Sequence, residues 1–128
     1  MMTQVPKGEV TIQTLAMPAD TNANGDIFGG WLVSQMDLAA GVLAKKLSQG
    51  RAATVAINSM TFLKPVRVGD IVSCYVELVK LGKTSMTIDV EVWAEPAAGF
   101  GKFRVTEGTF VFVAIDDYGK PREVPKHT

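Results

Sequence analysis

The stretch from Phe28 to Leu47 constrains this chain more than any other, because it is apolar on nearly every side. Leu32, Met36, Ala40, Leu43 and Leu47 recur at three- and four-residue spacing, the period of an α-helix. Ser34, Gln35 and Asp37 are the only polar side chains between Phe28 and Ala44. Lys45 and Lys46 fall in the last turn, where cations suit the helix dipole, and Gly50 follows as a stop. Such a helix is expected to be buried on most sides, so the rest of the chain must wrap around it.

The remaining segments read as strands. Residues 9 to 16 alternate roughly, and Met17 to Asp26 form a loop broken by Pro18, two asparagines and Gly25. After the helix come strands over 52–63, 71–81, 84–95 and 103–115. Lys64-Pro65, Gly69-Asp70, Gly82-Lys83 and a Gly/Ala loop punctuate them. Over 84–95, Met86, Ile88, Val90 and Val92 alternate with Thr87, Asp89, Glu91 and Trp93, which gives one buried face. Strands joined by short turns make an antiparallel sheet whose apolar face needs a cover. The helix is the one candidate. The expected fold is α+β: a single domain over 1–128, with an antiparallel sheet wrapped around one long central helix. Ala39, Ala40, Gly41 and Ala44 are small enough to let the sheet approach. The polar tail from about 118 is expected to fray. The open sheet edges call for at least a dimer, joined edge to edge.

Composition removes several function classes. Lys and Arg balance Asp and Glu at 13 each, so nothing marks a nucleic-acid binder. The single cysteine, Cys74, excludes a disulfide framework and suits a reducing compartment. The first residues carry no apolar signal core, and no apolar run is long enough for a membrane span. A cytoplasmic protein is expected. The only histidine is His127, there is no G-x-S-x-G elbow, and no His/Cys/Asp cluster has metal-ligand spacing. Cys74 sits mid-strand among apolar residues and reads as a core filler.

What remains is Asp37. Asp is a poor helix former, and a carboxylate in an apolar helix is costly without a partner or a task. It is a candidate general base or nucleophile, against the plainer alternative of a carboxylate satisfied by a neighbour. Gly29-Gly30 opens the helix. Its unpaired N–H groups could hold an oxyanion, and the missing side chains would let a carbonyl come close; glycines also open helices for no chemical reason. In the loop, either Asn22 or Asn24 could orient a water or a carbonyl. From Gly29 to Asp37 the helix rises about 12 Å. One small reacting group cannot touch both on the same helix. If both serve one site, they come from two copies of the chain.

The run AMPADTNANGDIFGGWLVSQMDLAAG, followed by SMTFLKPVRVGDIVSCYVELVKLGKTS and IDVEVWAE, resembles the hotdog-fold acyl-CoA thioesterases, most of all the YciA-like acyl-CoA hydrolases. The resemblance spans roughly residues 8 to 117. The P-x-x-x-G-D turn, Pro65 to Asp70, is shared more widely among hotdog proteins and marks the fold more than the function. The resemblance implies hydrolysis of acyl-CoA to free acid and CoA without a metal or cofactor. It implies Asp37 as the catalytic carboxylate and Asn22 as the loop amide. The oxyanion donor is then the N–H of Gly29 or Gly30 from the opposite subunit, and the assembly a trimer of dimers. Lys64, Arg67 and the turn Lys83-Thr84-Ser85 are the candidates for binding the CoA phosphates. A hotdog dehydratase would need a histidine facing the carboxylate. A non-catalytic acyl-CoA sensor would bring a DNA-binding segment.

Overall fold

The computed structural model describes residues 5–96, 99 and 101–126. Five strands and one helix follow in the order β1 (Glu9–Leu15), α1 (Gly29–Ser48), β2 (Ala52–Phe62), β3 (Ile71–Leu81), β4 (Ser85–Glu95) and β5 (Phe103–Ala114). A short 3-10 turn, Pro18–Asp20, lies between β1 and α1. All strands join one antiparallel sheet in the order β1-β3-β4-β5-β2. Neighbours in sequence pair as β3-β4 and β4-β5, while β2 crosses to the far edge and pairs with β5. His127 lies outside the described residues.

The core sits between sheet and helix. Met86, Ile88, Val90 and Val92 of β4 and Phe110 of β5 are fully buried, as period-two patterning requires. They meet Leu32, Met36, Ala39, Ala40 and Ala44 of α1. The small residues do let the sheet approach: a Cβ on Gly41 would be in ordinary contact with the Phe112 ring at 3.7 Å. Cys74 is fully buried in this core, and burial pushes its thiol up to about 12.

Three expectations need correction. The helix is buried on one face within the single chain, not on most sides. Leu38 is 59% exposed and Val42 39%. One sheet covers only one side of a cylinder, so an apolar strip remains open. The helix also ends at Ser48 and is capped not by Gly50 but by Gln49, which takes the left-handed conformation (φ 55°) and donates its N–H to Lys45 O. At Gly50 a Cβ would lie 2.7 Å from Arg122 Nη2, the far end of a flexible side chain that packs there. Last, the tail does not fray at 118. Asp116 Oδ1 accepts from the N–H groups of Tyr118 and Lys120, Arg122 donates to Ile115 O, and Val124 is buried with its N–H bonded to Lys83 O. The polar composition conceals one apolar anchor and a self-contained turn.

The P-x-x-x-G-D turn is structural. Gly69 has φ 93°, open to glycine at no cost. Its N–H donates to Ala16 O, and Ala16 N–H donates to Asp70 O. The buried Asp70 carboxylate accepts from Arg67 N–H and closes the turn.

Candidate active site

The loop before α1 is built around Asn22. Its side-chain Oδ1 accepts from the backbone N–H groups of Asn24 and Asp26, at 2.9 and 3.2 Å. Its own N–H donates to Asp26 O. Thr21 Oγ1 donates to Pro18 O, and Phe28 N–H reaches back to Asp20 O. The loop is thus pinned from both ends. The Asn22 amide is fixed through its oxygen, which leaves its NH2 outside the loop's own hydrogen bonds. Asn24 contributes only its backbone.

Helix α1 begins after Phe28 with no side-chain cap. The first N–H groups of a helix have no acceptor within it, so those of Gly29 and Gly30 carry the positive end of the dipole. Gly29 lines a cleft of about 370 Å³ together with Asn22, Asp26, Leu32, Phe62 and Lys64. A Cβ at Gly29 would press on the Phe62 ring at 3.1 Å. Gly30 does not line the cleft; a Cβ there would meet the Phe28 ring at 3.0 Å. Lys64 stands at the cleft with its ammonium 5.3 Å from the Phe103 ring centroid.

Asp37 lies two turns further on and outside this cleft. It is half-buried against the edge strand β2, where Thr54 Oγ1 donates to its Oδ1 at 2.6 Å. That is a short, charge-assisted bond. Thr54 is the partner that sequence reasoning missed: it is one of several strand hydroxyls, and only the pairing of β2 against β5 sets it beside the helix. Beyond Asp37 the seam between α1 and β2 opens into a second cavity of about 550 Å³, lined by Gly41, Lys45, Arg51 and Ala53.

The structure therefore brings Asn22, Gly29 and Lys64 together at one end of the sheet and leaves Asp37 apart. Arg67 is exposed in the turn beyond Lys64. Lys83, Thr84 and Ser85 lie at the opposite end of the sheet, where Ser85 pairs with Val113 and Thr84 O accepts from Ala114 N–H. Asp26 is the carboxylate that does line the first cleft. Among the described residues no group of three His, Cys, Asp or Glu is placed to hold a metal ion, and no helix is long and apolar enough to cross a membrane.

Relatives with the same fold have similar sequences. The thioesterase superfamily profile matches residues 24–98, from the Asn-Gly loop through α1 to the end of β4. The chain belongs to the thioesterase superfamily. It is 54% identical to the acyl-CoA thioester hydrolase YciA of Salmonella typhimurium, over 97% of this chain and 96% of that protein. A hexameric thioesterase from Yersinia pestis superposes with a TM-score of 0.92 at 55% identity, covering 96% of this chain and 100% of the other. The acyl-CoA hydrolase of Staphylococcus aureus, solved with butyryl coenzyme A and coenzyme A, superposes with a TM-score of 0.82 at 31% identity. It covers 89% of this chain and 70% of its own. That enzyme has also been solved with an asparagine and an aspartate, fifteen positions apart, each replaced by alanine. The hotdog architecture expected from the sequence is the one observed.

Proposed function

We propose that this thioesterase-superfamily chain hydrolyses acyl-CoA to the free acid and coenzyme A, at a site completed by two copies of the chain. One observation carries the shared site. The oxyanion donors and Asn22 share a cleft, while Asp37 sits two helical turns away, held by Thr54 on an edge strand. Two such chains joined antiparallel along β2 lay their helices side by side, running in opposite directions. Asp37 of each then faces Gly29 of the other. The exposed strip of Leu38 and Val42 on α1 and Val55 on β2 (58% exposed) supplies apolar surface for that junction. Backbone groups on the open side of β2 supply the hydrogen bonds. Relatives described as hexameric support a trimer of such dimers.

The chemistry follows. The thioester carbonyl oxygen sits against the N–H groups at the start of α1, with the Asn22 NH2 beside it. Asp37 of the second copy removes a proton from water, whose oxygen attacks the carbonyl carbon. The negative charge that develops on the carbonyl oxygen is held by the helix N-terminus. Collapse breaks the C–S bond, and the sulfur leaves with the proton taken by Asp37. In the other route Asp37 itself attacks, giving an anhydride that water opens. A single turnover in oxygen-18 water tests the second route: label in the Asp37 carboxylate establishes an anhydride opened at the aspartyl carbonyl, and its absence weighs against that route. Coenzyme A enters as part of the substrate. The setting is the cytoplasm, where a lone free thiol stays reduced.

A competing reading takes Asp26 as the base, because it lines the same cleft as Asn22 and Gly29 in one chain. The asparagine–aspartate separation of fifteen in the Staphylococcus aureus enzyme matches Asn22 and Asp37, and not Asn22 and Asp26. Steady-state hydrolysis of acetyl- to palmitoyl-CoA decides. Asp37→Asn abolishes turnover and Asp26→Asn retains it if the shared site is correct; the reverse establishes Asp26.

A further inference from the structure

We infer that the phosphates of the coenzyme A moiety are held by Lys45 and Arg51, at the cavity between the end of α1 and the start of β2. The inference rests on the acyl-CoA reading above. Lys45 follows Asp37 by two steps of four residues, with Gly41 between, so all three share one helix face. The rise from Asp37 to Lys45 is about 12 Å. On the facing strand, Thr54 holds Asp37, and Ala53, Ala52 and Arg51 run back from it in the same direction. The carboxylate and the two cations thus stand at opposite ends of one seam. Its walls between them are Gly41, Ala52 and Ala53, and the cavity there is about 550 Å³. Small side chains leave room for a narrow arm between a reacting end and a charged end.

The cations are available. Among the described residues, neither Lys45 nor Arg51 has a carboxylate partner. Arg51 donates to the main-chain oxygen of Asp116, a neutral partner that fixes the guanidinium without cancelling its charge. The Asp116 carboxylate is turned into its own loop, onto the N–H groups of Tyr118 and Lys120. A third cation, Arg122, packs against Gly50 and donates to Arg51 O. Several unpaired cations at the mouth of one cavity fit a ligand with several negative charges, and a guanidinium fits phosphate oxygens two at a time. Antiparallel pairing of two β2 strands sets the start of one against the end of the other. That carries Lys64 of the second copy to the same mouth. The simpler role for Lys45, complementing the α1 dipole, is indifferent to whether the thioester carries a nucleotide.

The test uses that difference. One acyl group is presented on coenzyme A and on pantetheine, which lacks the phosphates, to the wild type and to Lys45→Ala, Lys45→Glu and Arg51→Ala. Lys45 is exposed on a helix where alanine is a better helix former, so Lys45→Ala keeps the fold. Each alanine variant should raise KM for acyl-CoA about tenfold relative to KM for acyl-pantetheine, the size of one lost charge-assisted contact. Lys45→Glu should raise it further. An unchanged ratio in all three variants overturns the assignment. A wild type that hydrolyses neither thioester overturns the acyl-CoA reading itself.

Discussion

Replacing Thr54 by valine tests whether Asp37, the carboxylate proposed to act in catalysis, is held in place by its neighbour. The two side chains are the same shape, and a β-branched residue suits a strand, so the change removes one hydroxyl and little else. The lost bond is 2.6 Å long and ends on a carboxylate. Hydrogen bonds to charged groups contribute about 1.5–3 kcal/mol. Thr54 is exposed and Asp37 half-buried in the single chain, so water competes and the lower end applies. A loss of about 1.4 kcal/mol is about tenfold in rate. The expected result is a kcat about tenfold below wild type, with KM unchanged and the thermal midpoint within a few degrees. Thr54→Ser keeps the hydroxyl and should return most of the rate. Steady-state kinetics on one acyl-CoA, beside thermal unfolding of the same samples, provides both readouts. A Thr54→Val enzyme as fast as wild type would refute the positioning role. So would a Thr54→Ser enzyme as slow as Thr54→Val.

Other expectations follow from single contacts. Gly29→Ala places a methyl in the cleft against Phe62, and losing a well-placed oxyanion contact costs roughly 100-fold or more in kcat; Gly30→Ala, outside the cleft, should cost much less, and kinetics of the pair checks the order. Gly8 has φ 92°, and a Cβ there would run into the Val76 carbonyl, so Gly8→Ala should lower stability by about 1–2 kcal/mol in urea unfolding. The Cys74 thiol should resist alkylation at pH 8 in the folded protein and react on unfolding. Its native value is raised from 9.0 to about 12, so both states keep the proton below pH 9. Above that the unfolded chain releases it first, and stability should fall between pH 9 and 12 in denaturant titrations.

Much of the fold is legible in the sequence because its period is local. The α1 stripe and the alternation over β4 each depend on neighbours within a few residues, and both patterns end within a residue of the observed elements. The Asn22 loop was legible as a set of turn formers. What was not legible depends on contacts far apart in the chain. The crossing of β2 to the β5 edge is one such contact, and it brings Thr54 to Asp37. The anchoring of Val124 against the Lys83 turn is another. Residue type marks Lys64, Arg67 and Lys83 alike as cations for phosphate, but type says nothing about which end of the sheet each occupies: Lys64 and Arg67 stand at the Asn22 end, and Lys83 at the end that Lys45 and Arg51 share. From sequence Lys45 is a dipole cation and no more, because its helix position explains it without reference to β2.

The central claim is that one active site takes its parts from two chains, and subunit complementation tests it most directly. Asn22→Ala removes the amide from one half, and Asp37→Asn removes the carboxylate from the other. Each homo-oligomer should be inactive. Mixed under exchange conditions, a dimer of one of each holds one site with both defects and one site with neither. Acyl-CoA hydrolysis should return, approaching half the wild-type activity per mixed dimer. Mixed dimers that form, as shown by native mass spectrometry, and hydrolyse nothing would contradict the shared site.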